Sequence, residues 1–309
     1  MKKRREVKLS IIILNWNTKE LIKECLQSLP KKREYEVIVV DNGSIDGSKE
    51  YLRRLKSIKL IDNKKNFGFA KGNNQGIEKA KGEYILLLNS DTVVKKGSLE
   101  KLVRYLDQNK NVAAVSPLLL NKDGSKQIDY YMRFPSALRV LLYHNLLLRS
   151  LIMKSPFRSL VVSEPEDKPF SVDQLPGAAL MTRKEVFKKV GGLDEDYHFL
   201  FEDVDWSYRV KEEGLGELIV LPQAKIVHLG GASWKKWLKK KRFGFYRQYF
   251  TSLMTFVKKH YPKQRILFLL VLAFNFLINA VIHFFFLNYC KASTQLNLLL
   301  WTGNSFLER

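Results

Sequence analysis

Five short apolar runs, separated by amphipathic segments, constrain the fold of the first 120 residues more than any other feature. They cover residues 9–14, 37–40, 58–61, 84–88 and 112–115. Because each run is continuously apolar, it is typical of a parallel strand buried on both faces. Between runs, apolar residues recur at helical spacing, as in Leu99, Leu102 and Leu106. Alternating strands and helices predict an α/β fold with a doubly wound, mostly parallel sheet.

Two more helices are predicted further along the chain. Thr182 and Glu185 have the spacing of a capping box, which predicts a helix that begins there and ends at Gly191. A second helix is predicted over residues 203–213, because Gly214 follows its last turn.

Three other segments are shorter or less clear. Residues 217–221 and 225–227 are predicted as two short strands. Residues 138–153 are apolar with interspersed basic residues, and both an interfacial amphipathic helix and a core helix fit this pattern.

Polar and small residues follow the predicted strands at the points where the strands end. Because ligands of doubly wound sheets bind beyond the carboxyl ends of the strands, these loops form the candidate site. The candidates are Asn15, Asn17, Asp41, Asn42, Gly43, Asn66, Gly68, Lys71, Asn73, Asn74, Asn89 and Asp91.

The residue types in these loops suit a nucleotide ligand. Small residues let a ligand approach the backbone, and Lys71, Asn73 and Asn74 can donate to a diphosphate at a helix start. A carboxylate such as Asp91 can bind a hard divalent cation that bridges phosphate oxygens. The chain is also strongly basic, with 53 Lys and Arg against 31 Asp and Glu and a net charge of +22, which favours phosphate-bearing partners.

These segments resemble the family 2 glycosyltransferases of the GT-A fold, and particularly the rhamnosyltransferase-like branch of bacterial cell-surface polysaccharide synthesis. The similarity covers about residues 8–250 in the right order. It rests on the motifs DNGSxDG from Asp41, NxGFAxGNNQG from Asn66, NSD from Asn89, PGA from Pro176, GGLDE from Gly191 and FEDVD from Phe201.

The resemblance implies how a nucleotide-sugar donor binds. Asp41 would hold the nucleotide base, with Asn15 and Asn17 nearby. Residues 66–74 would contact the ribose, the diphosphate or the donor sugar. Asp91 would be the metal-ligating end of an Asp-x-Asp motif for Mn²⁺ or Mg²⁺, although this chain has Asn89 at the first position of that motif.

The resemblance also implies a catalytic base. Asp203 matches the acidic residue that takes the acceptor proton in inverting members, and Glu202 and Asp205 compete with it for this role. Trp206 and Arg209, which follow, are candidates for the acceptor side.

His228 matches a histidine that contacts the metal or the diphosphate in several GT-A enzymes. A structural, hydrogen-bonded histidine is the alternative for this position.

The C-terminal region has a different composition. Residues 266–290 contain no charged residue, a length sufficient to cross a hydrocarbon core of about 30 Å, so a transmembrane helix is predicted. Because Asn275, Asn279 and His283 would share one face, a buried core helix is the alternative. Residues 231–265 hold eleven Lys and Arg interleaved with aromatic residues and no acid, which favours an anionic membrane surface over nucleic acid.

The sequence also predicts where the protein resides. Two cysteines, Cys25 and Cys290, indicate a reducing compartment, and the N-terminus lacks the features of a signal peptide. The positive-inside tendency places residues 1–265 in the cytoplasm at the inner membrane. The tail at 291–309 would lie outside, unless residues 296–301 turn back into the bilayer.

These features predict an inverting glycosyltransferase that moves a sugar from dTDP-rhamnose or a UDP-sugar to a lipid-linked saccharide. The alternative is a catalytically inactive, membrane-docked binding module with the same fold. The predicted domains are a catalytic domain at 1–230 (donor half about 8–120, acceptor half about 121–230), an interface segment at 231–265, the membrane helix and the tail.

Overall fold

The computed structural model describes residues 6–163, 165–198, 200–230, 238 and 241–307. The chain divides into two compact units. Among the described residues, the first unit comprises 6–131, 165–198 and 202–230. The second comprises 132–163, 200–201, 238 and 241–307.

The first unit contains a single sheet with nine strands among the described residues. The strands are β1 Leu9–Asn15, β2 Tyr35–Asp41, β3 Lys59–Asp62, β4 Tyr84–Asn89, β5 Thr92–Val94, β6 Val112–Leu120, β7 Phe170–Ser171, β8 Ala179–Arg183 and β9 Glu217–His228. Their order is β3-β2-β1-β4-β8-β6-β9-β5, and β7 pairs with β9. All five predicted strands of the first 120 residues are confirmed.

The parallel part of the sheet aligns the strand ends that carry candidate residues. Strand β1 pairs in parallel with β2 and β4, and the register places Asn15 opposite Asp41 and Leu14 opposite Asn89. The predicted doubly wound α/β architecture is therefore confirmed. Beyond β4 the sheet becomes mixed, because β8 runs antiparallel to both β4 and β6.

Eleven α-helices lie in the described part of the chain. They are α1 Lys19–Ser28, α2 Ser48–Arg53, α3 Phe69–Lys79, α4 Ser98–Gln108, α5 Ala137–His144, α6 Leu146–Ile152, α7 Lys184–Val190, α8 Glu202–Glu212, α9 Arg242–His260, α10 Arg265–Phe285 and α11 Tyr289–Leu307. In the first unit, α1 and α4 bury Ile22, Leu99 and Leu102 in a core that includes Ile11 and Leu86 of the sheet.

Two local predictions in the first unit are wrong. Thr182 does not cap α7, because it lies within β8 and its hydroxyl donates to the carbonyl of Ala113 at 2.7 Å. The two short strands predicted around 217–227 are one strand, β9, which pairs with β6 through an irregular register next to Leu118.

The second unit is helical. The apolar segment at 138–153 is two helices, α5 and α6, that meet at Asn145, whose side chain accepts from the amide of Leu148. Residues 132–163, which the sequence-based division assigns to the acceptor half, belong to this unit. Of the predicted interface segment, residues 231–237 and 239–240 lie outside the described residues.

The apolar C-terminal segment is shorter than predicted. Helix α10 ends at Phe285, a turn follows, and the predicted tail is the helix α11, which packs against α10. Within the described residues, one helical stretch, Pro262–Phe285, is long and apolar enough to cross a membrane by length and composition.

Arg183 offers a test of how the first unit is held together. Its guanidinium donates to the carbonyls of Leu106 and Asn109 at the C-terminal end of α4 and to the carbonyl of Val112 in β6. Replacing it removes a charged donor from three carbonyls, so we expect Arg183→Met to lower the free energy of unfolding by about 2–3 kcal/mol. Urea denaturation measures this. The control Arg104→Met, on the exposed face of the same helix, should change little, and equal losses in both variants would contradict the assignment.

Candidate active site

The ends of β1 and β2 are joined by a buried polar network. The amide of Asn15 donates to Asp41 Oδ2 at 2.8 Å and to the hydroxyl of Ser44 at 3.2 Å. Asp41 Oδ1 accepts from the backbone amide of Ser44 at 2.9 Å. The side chains of Asn15 and Asp41 are fully buried, so both shape the loop that follows β2.

Asn17 continues this network on the exposed side. Its backbone is left-handed, with φ 53°, and its side-chain oxygen accepts from the amide of Ile45 at 2.8 Å. The backbone amide of Asn17 donates to the hydroxyl of Ser44 at 2.9 Å. The first and second loops are therefore held together as one surface beyond the sheet edge.

Asn42 joins the second loop to the start of α3. Its amide nitrogen donates to Asn66 Oδ1 at 2.9 Å and to the carbonyl of Gly68 at 3.0 Å, while its oxygen accepts from Asn63. Gly43 lies so close to this segment that a Cβ would meet the Cα of Lys65 at 2.7 Å. The two loops can approach this closely because Gly43 has no side chain.

A cleft of about 370 Å³ opens at the N-terminal end of α3. Its walls include Asn66, Gly68 and Lys71 on one side and Tyr197 and His198 on the other. Lys71 forms an ion pair of 3.4 Å with Glu195, which also lines the cleft. The structure thus brings three of the predicted donor-binding residues together around one opening.

The side chains of Asn73 and Asn74 hydrogen-bond to other groups of the protein rather than lining the cleft. Asn73 is buried, and its amide donates to the carbonyl of Phe69. Asn74 donates to the carbonyl of Leu193 and accepts from the amide of Leu193. The structure does not bring these two amides into the cleft; they hold α3 and the segment around Leu193 in place.

Antiparallel pairing of β5 with β9 brings Asp91 and His228 together. Thr92 lies opposite His228 in the ladder, and the amide of Leu229 donates to the carbonyl of Asp91. As a result, His228 Nε2 lies 3.3 Å from Asp91 Oδ1, and the side-chain amide of Asn89 lies 3.4 Å from the same ring nitrogen.

The orientation of the His228 ring is fixed from behind by Gln127. His228 Nδ1 lies 3.0 Å from Gln127 Oε1, and the amide nitrogen of Gln127 donates to the backbone carbonyl of His228 at 2.6 Å. Because Gln127 Oε1 can only accept, Nδ1 carries a proton, and Nε2 is the ring nitrogen that faces Asp91. A histidine held in this way is a typical divalent-metal ligand.

The three acids at the start of α8 have different environments. Asp205 is 1% exposed and accepts from Arg209 at 2.7 Å and from the Tyr197 hydroxyl at 3.2 Å. Arg209 also donates to the carbonyls of Val190 and Gly192, and Trp206 is fully buried. Asp205 and Trp206 therefore pack inside the first unit, and a buried Trp206 cannot line the acceptor side. Arg209 is partly exposed and is held by Asp205 and the two carbonyls.

Asp203 is the one acid of this cluster that keeps accessible surface. Its carboxylate accepts from the amides of Gly177 at 2.7 Å and Val204 at 2.9 Å. Glu202 is 5% exposed, and its Oε2 has no hydrogen-bond partner. Since backbone donors favour a charged carboxylate and burial without them favours a neutral one, Asp203 is the ionised member of the pair.

The pKa values of the pair respond to the same environment. Burial, together with the neighbouring charge of Asp203, raises the pKa of Glu202 to about 8. Burial also raises the pKa of Asp203, and the amides of Gly177 and Val204 act in the opposite direction. The two backbone donors on Asp203 and the missing partner of Glu202 Oε2 both favour the proton of this pair on Glu202.

Tyr130 contacts His228 and is also influenced by the charge of Asp203. Its ring makes an edge contact with His228, with centroids 5.2 Å apart. Burial and the charges of Asp91 and Asp203 raise the pKa of its hydroxyl. Sequence reasoning missed Tyr130 and Gln127 because both lie in a segment without a recognisable motif, and their proximity to His228 depends on the pairing of β6 with β9.

Comparison with known proteins identifies the family. The family model described as "Glycosyl transferase family 2" matches residues 10–173, more than half of the chain. The chain belongs to glycosyltransferase family 2. It is therefore a glycosyltransferase, and its relatives place it in the rhamnosyltransferase-like branch.

Two curated relatives of this glycosyltransferase are similar over about two thirds of its length. The low-salt glycan biosynthesis hexosyltransferase Agl10 of Haloferax volcanii is 29% identical over 211 residues, which cover 67% of this chain and 62% of the relative. The N-acetylglucosaminyl-diphospho-decaprenol L-rhamnosyltransferase of Mycobacterium tuberculosis is 27% identical over 216 residues, which cover 65% of this chain and 68% of the relative.

A solved structure shows the same fold. The mannosyltransferase PcManGT from Pyrobaculum calidifontis, in complex with GDP-Man and Mn²⁺, aligns with a TM-score of 0.56 and 18% identity. The alignment covers 100% of this glycosyltransferase and 85% of that chain. The predicted GT-A fold is thereby confirmed, and the apolar helix α10 is compatible with membrane association.

The raised pKa of Glu202 predicts a pH-dependent stability. Between the unfolded pKa of about 4.5 and the folded pKa of about 8, the folded enzyme binds more protons than the unfolded chain, so its stability falls as pH rises. Glu202→Gln removes this dependence. We expect the thermal midpoints of the two proteins to be similar at pH 5, and the variant to be several degrees more stable at pH 8.

Glu212→Gln is the matched control, because Glu212 lies on the exposed face of the same helix. It should follow the wild type at every pH. A constant difference between wild type and Glu202→Gln from pH 5 to pH 8 would contradict the assignment of the proton to Glu202.

Proposed function

We propose that this glycosyltransferase moves a sugar, with inversion, from a nucleotide-diphosphate donor to a lipid-linked saccharide at the cytoplasmic face of the inner membrane. The donor is dTDP-rhamnose or a UDP-sugar. Asp203 acts as the catalytic base, Glu202 as its protonated neighbour, and Asp91 with His228 holds a divalent cation, Mn²⁺ or Mg²⁺. The product extends a cell-surface polysaccharide.

One observation supports this assignment above the others. Asp203 is accessible, is held in its charged form by two backbone amides and acts together with Asp91 on Tyr130. The shared influence on Tyr130 supports placing the candidate base and the candidate metal centre in one site.

The proposed reaction is a single displacement. The acceptor hydroxyl transfers its proton to the carboxylate of Asp203 as its oxygen forms a bond to the anomeric carbon of the donor. The bond from that carbon to the diphosphate oxygen breaks on the opposite face, which inverts the configuration, and the nucleoside diphosphate leaves. A positioned base typically contributes about 10²–10⁴-fold to such a step.

The donor set at β5 and β9 fits a divalent cation. It combines a carboxylate oxygen, Asp91 Oδ1, with a ring nitrogen, His228 Nε2, whose lone pair is directed by Gln127. No cluster of three His, Cys, Asp or Glu side chains occurs among the described residues, so the donor diphosphate itself would supply further oxygen ligands. When bound there, the cation neutralises charge on the leaving diphosphate.

The loops beyond β1, β2 and β3 would bind the nucleotide. Asn66, Gly68 and Lys71 line the cleft at the start of α3, where an ammonium group and a helix N-terminus suit a diphosphate. Asn15, Asn17, Asp41, Asn42 and Gly43 form the connected surface beside it. The name of the mycobacterial relative, an L-rhamnosyltransferase acting on a decaprenol-linked acceptor, supports a rhamnosyl donor and a lipid-linked acceptor.

Asp203→Asn tests the base directly. The amide keeps the shape of the side chain but cannot take a proton, so we expect the transfer rate to fall by about 10²–10⁴-fold while donor affinity stays within a few fold. The assay measures product formation from dTDP-rhamnose and UDP-sugars in membranes containing the lipid-linked acceptor, and calorimetry measures donor binding.

The exposed-site variant Glu212→Gln should retain the wild-type transfer rate. Full activity of Asp203→Asn would contradict the assignment of the base. Donor binding by the wild type without transfer to any acceptor would instead favour the inactive binding module.

Gln127 provides an independent test of the metal centre. Gln127→Leu removes the acceptor that orients the His228 ring, so we expect Mn²⁺ affinity to fall by about 10–100-fold. Gln127→Glu retains an acceptor at the same position and should preserve most of the affinity. Electron paramagnetic resonance of Mn²⁺ titrations, without substrate, measures both. Unchanged affinity in Gln127→Leu would contradict a ligand role for His228.

A further inference from the structure

Helices α10 and α11 form a hairpin whose two free ends lie together. The guanidinium of Arg265, at the start of α10, donates to the carbonyl of Ser305, in the last turn of α11, at 2.7 Å. At the other end, Leu287 is left-handed with φ 53° and the amide of Asn288 donates to the carbonyl of His283, which closes the turn. The chain therefore enters the hairpin at the start of α10 and leaves it at the end of α11 at the same end of the hairpin.

The turn of this hairpin is apolar and exposed. Phe286 and Leu287 are 81% and 72% exposed. Exposed apolar side chains also continue from the turn back along α10 at spacings of three or four residues, at Phe284, Val281 and Leu277. Between residues 266 and 305 the sequence contains one charged residue, Lys291. A surface of this composition suits lipid rather than water.

The polar residues of α10 lie on the face away from this stripe. Asn275 donates to the carbonyl of Val140, and Asn279 donates to the carbonyl of His144 and accepts from the amide of Leu146. The Asn279 bonds satisfy backbone groups at the break between α5 and α6, whereas the Asn275 bond reaches Val140 within α5. Asn279 is therefore level with that break.

The depth of the hairpin follows from the charges on α5 and α6. Arg139 and Arg149 lie in these two helices, and an arginine at the centre of a bilayer is costly. The part of α10 around Asn279, level with the break, therefore belongs at the membrane interface rather than at the bilayer centre. From Asn279 to Phe286 the chain advances roughly 11 Å, which is less than one leaflet of about 15 Å, half the hydrocarbon core.

We propose that the second unit is monotopic: the α10–α11 hairpin enters one leaflet of an anionic bilayer and returns to the same side. Arg265 and Ser305 stay on the side of the catalytic unit, and the turn at 286–288 does not emerge on the far side. The basic residues beside the hairpin contact the headgroups, and the flexible stem of Lys291 lets its ammonium reach the interface. This proposal rests on the membrane location given under the proposed function, but not on sugar transfer.

The two native cysteines make this topology measurable. Cys25 is buried and Cys290, next to the turn, is exposed in the protein. Sealed membrane vesicles of both orientations are treated with a membrane-impermeant maleimide. We expect Cys290 to be protected from both faces and labelled after detergent is added. Lys122→Cys, in an exposed turn of the first unit, marks the catalytic side in a Cys290→Ser background.

Ser305→Cys in the same Cys290→Ser background should be labelled from the side that labels Lys122→Cys. Labelling of Ser305→Cys from the opposite side would show a single span and overturn the proposal. Labelling of Cys290 from the opposite side would show a hairpin that crosses the bilayer, and labelling from the catalytic side would show a hairpin outside the bilayer. Either result overturns the proposal, and none of these readouts depends on enzymatic activity.

A second variant tests the lipid contact of the turn. Phe286→Asp places a charge where lipid is proposed without changing a buried contact, so the partition onto phosphatidylglycerol vesicles should fall at least tenfold in flotation. Ser57→Asp adds the same charge on an exposed turn of the first unit and should partition like the wild type. Equal partition of both variants would overturn the proposed insertion of the turn.

Discussion

The antiparallel pairing of β5 with β9 is the constraint on which the site depends. It places Thr92 opposite His228 and so brings Asp91 within 3.3 Å of the histidine. Strand β9 also pairs with β6, and the segment after β6 carries Gln127, whose bonds orient the His228 ring from the opposite side. The order of the strands in the sheet thus brings together the side chains that can bind a divalent cation, because these side chains lie on different segments of the chain.

Local pattern was sufficient for much of the fold and part of the site. Continuous apolar runs predicted the parallel strands, and the family motifs marked the cleft residues Asn66, Gly68 and Lys71. The failures concern residues whose partners are distant in sequence. Thr182 has capping-box spacing, yet β8 inserts beside β6 and uses its hydroxyl. Asn74 lies in a predicted donor-binding motif, and that motif does not reveal its hydrogen bond to Leu193, more than 100 residues away.

The three carboxyl groups at the start of α8 have different roles because their burial and hydrogen-bond partners differ. Asp205 is neutralised by Arg209 and holds the first unit together. Glu202 lacks a partner for Oε2 and keeps a proton, whereas Asp203 retains two backbone donors and an accessible carboxylate. From sequence Asp203 was the candidate base, and Glu202 and Asp205 were its competitors. Asp203 differs from the other two acids because the amide of Gly177 binds its carboxylate. Gly177 lies 26 residues earlier in the chain, so the local sequence around the acids does not reveal this contact.

The most direct test of the account measures thermal stability with nucleotide-sugars in the presence and absence of Mn²⁺, for wild type and Asp91→Asn. A ligand that binds only the native state raises its apparent stability, by about 2.7 kcal/mol at a hundredfold excess over Kd. The account predicts that one donor stabilises the wild type, that Mn²⁺ increases this stabilisation, and that Asp91→Asn removes the increase. Stabilisation by no donor, or an equal effect of Mn²⁺ in both proteins, would contradict it.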